Sequence, residues 1–242
     1  MRSGNPTLTA KTFTGHTATG ERMTLRGAVN KTFLMLVVLV LGAAIAWNEF
    51  AATGAPPAWS LYGGLIGFVL GLIITFRPTA APALAPFYAL AQGVTLGAIS
   101  ALFEVRYPGI VMQAVGLTFG TLFALLLAYR SGLIKATENF RLGLVAATGG
   151  VALVYLASFV MGFFGKSIPL IHSAGPWGMA FSAVVVVIAA FNLVLDFDFI
   201  EEGERVGAPA YMEWYAAFGL MVTLIWLYME ILRLLAKSRS RR

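Results

Sequence analysis

The residues best suited to chemistry lie in one short acidic stretch that follows a long apolar run. Trp177 to Leu195 contains no charged residue, and five of the chain's eleven Asp and Glu residues then fall within nine positions. They are Asp196, Asp198, Glu201, Glu202 and Glu204. Ionised groups at the end of a membrane-spanning helix are costly unless they reach water, a partner or an ion. We therefore expect the functional site in this stretch, where the carboxylates would either change protonation state or bind a cation.

Helical geometry separates the two aspartates of this stretch. Asp196 shares a face with Asn192, one turn earlier, whereas Asp198 is turned about 200° from Asp196 and aligns with Glu201 and Glu202. This predicts that Asp196 points toward protein or a cavity. For Asp198, a functional role and a simple helix stop in the headgroup layer are both open, and for the three glutamates the helix stop is favoured.

Asp196 and Asp198 are also the candidate calcium ligands. The spacing Asp-x-Asp-x-x-Glu resembles the start of an EF-hand loop, but Ile200 occupies the fifth position and no glycine falls at the sixth. Calcium would therefore need carboxylates from different helices. Acids at a helix C-terminus also oppose the macrodipole, so we expect a compensating partner.

Composition places the chain among membrane proteins. Of its 242 residues, 59% are hydrophobic and 12% are charged, whereas soluble domains average about 25% charged. The absence of cysteine excludes disulfides and thiolate chemistry, and His16 and His172 are too far apart to suggest a metal site. The net charge of +6 lies mostly at the two ends, which is typical of topology signals and anionic-lipid contact and not of nucleic-acid binding. No Ser/His/Asp set, phosphate loop or HExxH motif occurs, so we expect neither an enzyme nor a bound cofactor.

Seven apolar runs are near the roughly 20 residues needed to cross a bilayer, which predicts an all-α bundle of seven transmembrane helices. The runs are about Phe33–Asn48, Trp59–Phe76, Ala83–Phe103, Ile110–Tyr129, Leu142–Phe164, Trp177–Phe199 and Met212–Ala236. We divide the chain into a basic N-terminal tail (1–31), a membrane domain (32–237) and a basic C-terminal tail (238–242).

Flanking residues predict the orientation. Alternating spans place Trp47, Trp59 and Trp177 at one membrane face and Trp214 at the other, as in an aromatic belt. Lysine and arginine are concentrated in the segments that are cytoplasmic if the N-terminus is inside, which predicts a cytoplasmic-membrane protein with a cytoplasmic N-terminus. The basic C-terminal tail would then lie outside. Either the tail tolerates that side, or one run is re-entrant.

Glycines spaced by four residues mark the second, third and fourth runs. The stripes are Gly63/Gly67/Gly71, Gly93/Gly97 and Gly116/Gly120 with Ala124. Such stripes favour close helix packing within one bundle, and a pore-lining role is the alternative.

Two arginines, Arg233 and Arg77, could form ion pairs with acidic residues. Glu230 and Arg233 are three residues apart on the last run and are expected to pair. Arg77 ends the second run, on the same side as the acidic stretch. It either snorkels to the interface or pairs with Asp196 or Asp198.

Four motifs resemble the Bax inhibitor-1 family, including its bacterial members. They are Met1-Arg2-Ser3-Gly4-Asn5-Pro6, Gly93-x-x-Leu96-Gly97, Leu195-Asp196-Phe197-Asp198-Phe199-Ile200 and Ile231-Leu232-Arg233-Leu234-Leu235. The resemblance implies seven helices with the last one central, and a pH-sensitive calcium leak. It also implies a latch in which aspartates on the last two helices share a proton beside an arginine.

Carried over by position, the resemblance assigns the sixth-helix aspartate to Asp196 and the arginine to Arg77. Thr223 stands where the family has the seventh-helix aspartate, and a threonine does not ionise. Asp198, Glu213 or Glu230 would then have to supply the second carboxylate.

Two functions follow as hypotheses. The first is a leak channel for calcium or another cation, linked to stress responses and gated by carboxylate protonation, since neighbouring acids in a low dielectric can titrate near neutrality. The alternative is a non-conducting regulator that binds membrane-protein quality-control machinery, such as a membrane protease complex.

Overall fold

The computed structural model describes residues 21–165 and 175–240, which form seven α-helices. They are α1 (Leu25–Thr53), α2 (Ser60–Phe76), α3 (Ala81–Arg106), α4 (Ile110–Arg130), α5 (Glu138–Phe163), α6 (Pro176–Arg205) and α7 (Tyr211–Arg239). Six are long and apolar enough to cross a membrane, and α2, with 17 residues, is shorter. The helices agree with the predicted multi-pass membrane bundle. His16, His172 and the motif at residues 1–6 lie outside the described residues.

Six helices extend beyond the apolar runs that predicted them, and α1 does so by the most residues. Helix α1 begins at Leu25, inside the stretch assigned to the N-terminal tail, and α6 and α7 continue to Arg205 and Arg239. Polar groups make the first extension favourable, because the Thr24 side chain accepts a hydrogen bond from Gly27 N (2.9 Å) and caps α1. Hydropathy alone does not register such a cap.

Helix α7 forms the centre of the bundle. It packs against α1, α3, α4 and α6, and its large side chains Tyr215, Phe218, Met221 and Leu227 are buried. A helix surrounded in this way is hydrophobic over most of its circumference. The central position expected from the family resemblance agrees with this packing.

The glycine stripes behave differently on different helices. A Cβ added at Gly93 or Gly97 of α3 would collide with the backbone of α1 at Leu39 or Ala43, and one at Gly63 of α2 would lie 2.8 Å from Ala91 O. These glycines let α1, α2 and α3 approach closely, as predicted. On α4, a Cβ at Gly116 or Gly120 meets nothing within 4 Å. The expectation of close packing was wrong for that stripe, which faces away from the bundle.

The two ends of the bundle are identified by contacts between segments distant in sequence. At the end where α7 begins, here the first end, Met23 N donates to Ala208 O (2.7 Å) and Ala210 N donates to Glu21 O (2.9 Å). At the other, or second, end, Arg239 donates to Pro108 O (2.7 Å). Since the 29 residues of α7 span about 43 Å, Glu21 and Arg239 lie at opposite ends, as seven crossings require.

The tryptophans follow the same division. Trp47 lies near the end of α1, Trp59 precedes α2 and Trp177 begins α6, all at the second end. Trp59 Nε1 donates to the Glu49 carboxylate there (2.9 Å). Trp214 lies in the first turn of α7, at the first end. This distribution is the one that the sequence predicted.

Candidate functional site

The last third of α6 turns its two aspartates in different directions. Asp196 is buried, with 1% of its surface exposed, while the Asp198 side chain is 24% exposed. Asn192, one turn before Asp196, is also buried and donates from Nδ2 to Thr148 Oγ1 on α5 (2.9 Å). The predicted separation of the two aspartates onto different faces is therefore present. Asp196 lies nine residues before the end of α6, about 14 Å along its axis.

Asp198 pairs with a cation from α5. Arg141 Nη2 lies 2.5 Å from Asp198 Oδ2, and the two side chains are 16% and 24% exposed. An ion pair this shielded from water interacts more strongly than a fully exposed one. Glu201 and Glu202 add negative charge around Asp198, so Arg141 offsets a local excess of acid.

The remaining acids of the stretch each have a partner. Tyr129 Oη on α4 donates to Glu201 Oε2 (2.6 Å), and Arg205 binds both oxygens of Glu202 (2.6 and 2.7 Å). Glu204 Oε1 accepts from Leu25 N at the start of α1 (2.8 Å). These contacts supply the compensation that acids at a helix C-terminus need, and they tie α6 to its neighbours.

Glu213 of α7 caps the first helix. Its Oε1 accepts hydrogen bonds from Thr24 N (2.8 Å) and Thr24 Oγ1 (2.9 Å), and its other oxygen pairs with Lys31. Gly27 makes room for this carboxylate, since a Cβ there would overlap it. A carboxylate at a helix N-terminus is favoured by both the free N–H groups and the macrodipole.

Glu230 is engaged near the second end. Its Oε1 accepts from Tyr155 Oη (2.8 Å) and from Arg233 Nη1 (2.7 Å), which confirms the predicted pair with Arg233. Glu230 lies 19 residues into α7 and Glu213 only two, about 29 Å and 3 Å from its start. The ion-pair partners of these two candidate substitutes are Lys31 for Glu213 and Arg233 for Glu230.

Thr223 and Arg77 complete the set of predicted site residues. Thr223 is buried in α7, and its hydroxyl donates to Gly219 O of the same helix (3.3 Å). Arg77 follows the last residue of α2 at the first end and is exposed. The ion-pair partner of Asp198 is Arg141 and not Arg77.

The candidate calcium ligands do not form a cluster. In residues 21–165 and 175–240, no three His, Cys, Asp or Glu side chains lie close enough together to hold a metal ion. A resident Ca²⁺ takes six to eight oxygen ligands, several of them carboxylates. Asp196 and Asp198 also lie on different faces of α6.

Comparison with known protein families gives a match over almost the whole sequence. A family model described as "Bax inhibitor 1 like" matches residues 5–240. The chain belongs to the Bax inhibitor-1-like family. No curated protein matches the sequence. Membership confirms the resemblance drawn from the sequence motifs.

Sequence reasoning missed two partners in this Bax inhibitor-1-like chain. Arg141 is one of the lysines and arginines that predict the orientation, and Glu213 is a candidate only for the second carboxylate of the latch. The sequence signal for each was its position next to a membrane span. Arg141 lies in the first turn of the fifth helix and Glu213 in the first turn of the seventh, and such a position does not specify a partner. Which acid each cation meets depends on how helices distant in sequence are arranged, and flanking-charge counts do not contain that information.

Proposed function

We propose that this protein is a calcium or related cation leak channel of the membrane, gated by protonation of carboxylates near the end of α6. The observation that carries the proposal is the burial of Asp196, an ionisable group at 1% exposure within a helix long enough to span the bilayer. An ionisable side chain inside a transmembrane bundle is expensive, and pathways for ions or protons are its commonest use. Family membership and the sequence resemblance support the same function.

The surroundings of Asp196 suit a gate better than a fixed ion site. Asn192 adds a second polar side chain on the same face, and Asp198 with Arg141 closes the first end of α6 against α5. Protonation of a carboxylate would remove one charge from this network and weaken the pairing that it supports. In this proposal the cation is the transported species and not a resident ligand.

The test is cation flux into liposomes that contain only this protein and a trapped calcium indicator. We expect calcium entry that depends on the protein and changes with pH across the neutral range. The control is the same liposome preparation with the Asp196→Asn protein, whose pH response should be flatter.

Folded protein that passes no cation at any pH would reject the channel. That outcome would favour the alternative, a non-conducting regulator that binds membrane-protein quality-control machinery. Co-purification of a membrane protease with the intact protein would then be the next measurement.

A further inference from the structure

Helix α5 is the least packed of the long helices that the structure describes. Its buried residues are Leu144 and Val151, and α6 is the helix against which it mainly packs. A Cβ added at Gly143, Gly149, Gly150 or Gly162 would meet nothing within 4 Å. In lipid, association between helices depends on close packing and hydrogen bonds, because lipid tails are as apolar as the side chains. Close packing is scarce around α5.

Polar contacts hold α5 in place, and they recur every seven residues. Arg141 pairs with Asp198 (2.5 Å), Thr148 Oγ1 accepts from Asn192 (2.9 Å), and Tyr155 Oη donates to Glu230 (2.8 Å). We call these three contacts the α5 ties. Leu144 and Val151 occupy the intervening positions, so residues 141, 144, 148, 151 and 155 form the heptad seam of a helix packed on its neighbours.

Two ring contacts with α6 lie beside this seam. Phe140 meets Phe191 edge-on at 5.6 Å, and Tyr155 meets Phe181 at 6.4 Å. Helix α3 offers the contrast, since its glycines Gly93 and Gly97 lie directly against the backbone of α1. Close backbone contact thus fixes α3, whereas α5 buries few side chains and is joined to its neighbours by polar contacts that include the three ties.

We propose that α5 is a detachable helix, fastened to the α6–α7 pair by the α5 ties and able to separate from it while the other helices stay together. Cutting the ties removes polar contacts that oppose separation, and the side chains that α5 buries are Leu144 and Val151. Separation would uncover Asn192 and Asp198 of α6, which are bonded to α5 in the structure. This inference goes beyond the proposed function and holds whether or not the protein conducts ions.

Spin-label distances test the proposal, and the absence of native cysteines leaves a clean background. The test pair joins Leu65→Cys on α2 to Leu153→Cys on α5, and the reference pair joins Leu65→Cys to Met112→Cys on α4. All three positions are exposed. The ties are cut together by Arg141→Met, Thr148→Val and Tyr155→Phe, which keep side-chain size close to the original.

We expect the test pair to gain longer distances and a broader distribution in the tie-cutting variant, with the reference pair unchanged. Ser100→Ala is the matched control, because it removes a polar contact between α3 and α7 (Ser100 Oγ to Tyr228 Oη, 2.6 Å) and should change neither pair. An unchanged test pair in the tie-cutting variant would show that packing holds α5. Broadening of both pairs would show that the ties hold the whole bundle, which also overturns the proposal.

Discussion

At the scale of single residues, the acidic stretch of α6 contains carboxylates in different situations. Asp196 is buried on the face shared with Asn192, Asp198 is paired with Arg141, and Glu204 caps α1. Their positions in sequence differ by only a few residues, yet helical rotation gives each a separate neighbour. Substitutions that only neutralise charge can therefore distinguish their roles.

The first prediction concerns Asp196. Asp196→Asn keeps the size and hydrogen-bonding capacity of the side chain but removes its charge, so a gate that depends on that charge should fail to close. We expect a higher calcium leak at neutral pH and a flatter pH response, measured in liposomes with a trapped indicator. Glu138→Gln, an exposed acid in the first turn of α5, is the control and should change the leak little. A lower flux in Asp196→Asn would instead make Asp196 a ligand along the ion path.

The second prediction concerns the carboxylate that caps α1. Glu213→Gln removes the negative charge that pairs with Lys31 and accepts hydrogen bonds from Thr24. Charge-assisted hydrogen bonds are each worth about 1.5–3 kcal/mol. We expect a lower thermal midpoint in detergent, and a smaller loss when the substitution is made in a Lys31→Met background, because that partner is then absent. Glu21→Gln, whose side chain is exposed, should leave the midpoint unchanged. Equal losses in both backgrounds would mean that Lys31 and Glu213 are not coupled.

At the scale of helices, the bundle contains two kinds of attachment. Helices α1, α2 and α3 interlock through glycines, while α5 is held by the α5 ties. Interhelical hydrogen bonds in membranes average about 0.6 kcal/mol each, and the ties that end on the Asp198 and Glu230 carboxylates are charge-assisted and therefore stronger. Loss of the ties should raise the fraction of molecules in which α5 has separated, whereas the interlocked helices α1, α2 and α3 should stay together.

The third prediction compares two glycines. Gly97→Ala places a methyl group against the backbone of α1 at Ala43, and overpacking of this kind costs about 1–3 kcal/mol. Gly116→Ala adds the same methyl group in open space and gains up to about 1 kcal/mol of helix propensity. We expect the thermal midpoint to fall for Gly97→Ala and to stay level or rise for Gly116→Ala. A comparable fall in both variants would mean that Gly116 also faces a close neighbour.

At the scale of the whole molecule, the described termini lie at opposite ends of the bundle, and the charge distribution predicts which end is cytoplasmic. The first end carries Arg130 and Lys135 near α4 and α5, and the second end carries Trp47 and Trp59. Lysine and arginine in short loops set topology. The first end is therefore expected to face the cytoplasm.

The fourth prediction tests this orientation with single cysteines in the cysteine-free chain. Thr53→Cys lies at the second end and Ser131→Cys at the first, and both positions are exposed. An impermeant maleimide added to intact cells should label Thr53→Cys and should label Ser131→Cys only after the membrane is permeabilised. The reverse pattern would place the N-terminus outside.

The sequence predicts the helices better than the contacts between them. Long apolar runs identify the spans because every backbone polar group in lipid must be satisfied within its own helix. The burial of Asp196 also follows from local rotation, since Asn192 and Asp196 mark one face. The partnership of Arg141 with Asp198 depends instead on the arrangement of α5 against α6, and the cap that Glu213 provides depends on α1 meeting α7. Nothing in the local pattern encodes either contact.

The cap at the start of α1 also has a consequence for biosynthesis. Thr24 and Glu213 are separated by 189 positions, and Glu204 reaches Leu25 over 179. The first helix therefore leaves the ribosome and enters the membrane long before the carboxylates that bind its N-terminus have been translated. Until the sixth and seventh helices arrive, Thr24 N, Leu25 N and the Lys31 ammonium depend on water or lipid headgroups. The start of α1 is thus fastened by α6 and α7, and a polypeptide truncated before Glu204 would retain α1 with the cap from Thr24 but without either carboxylate.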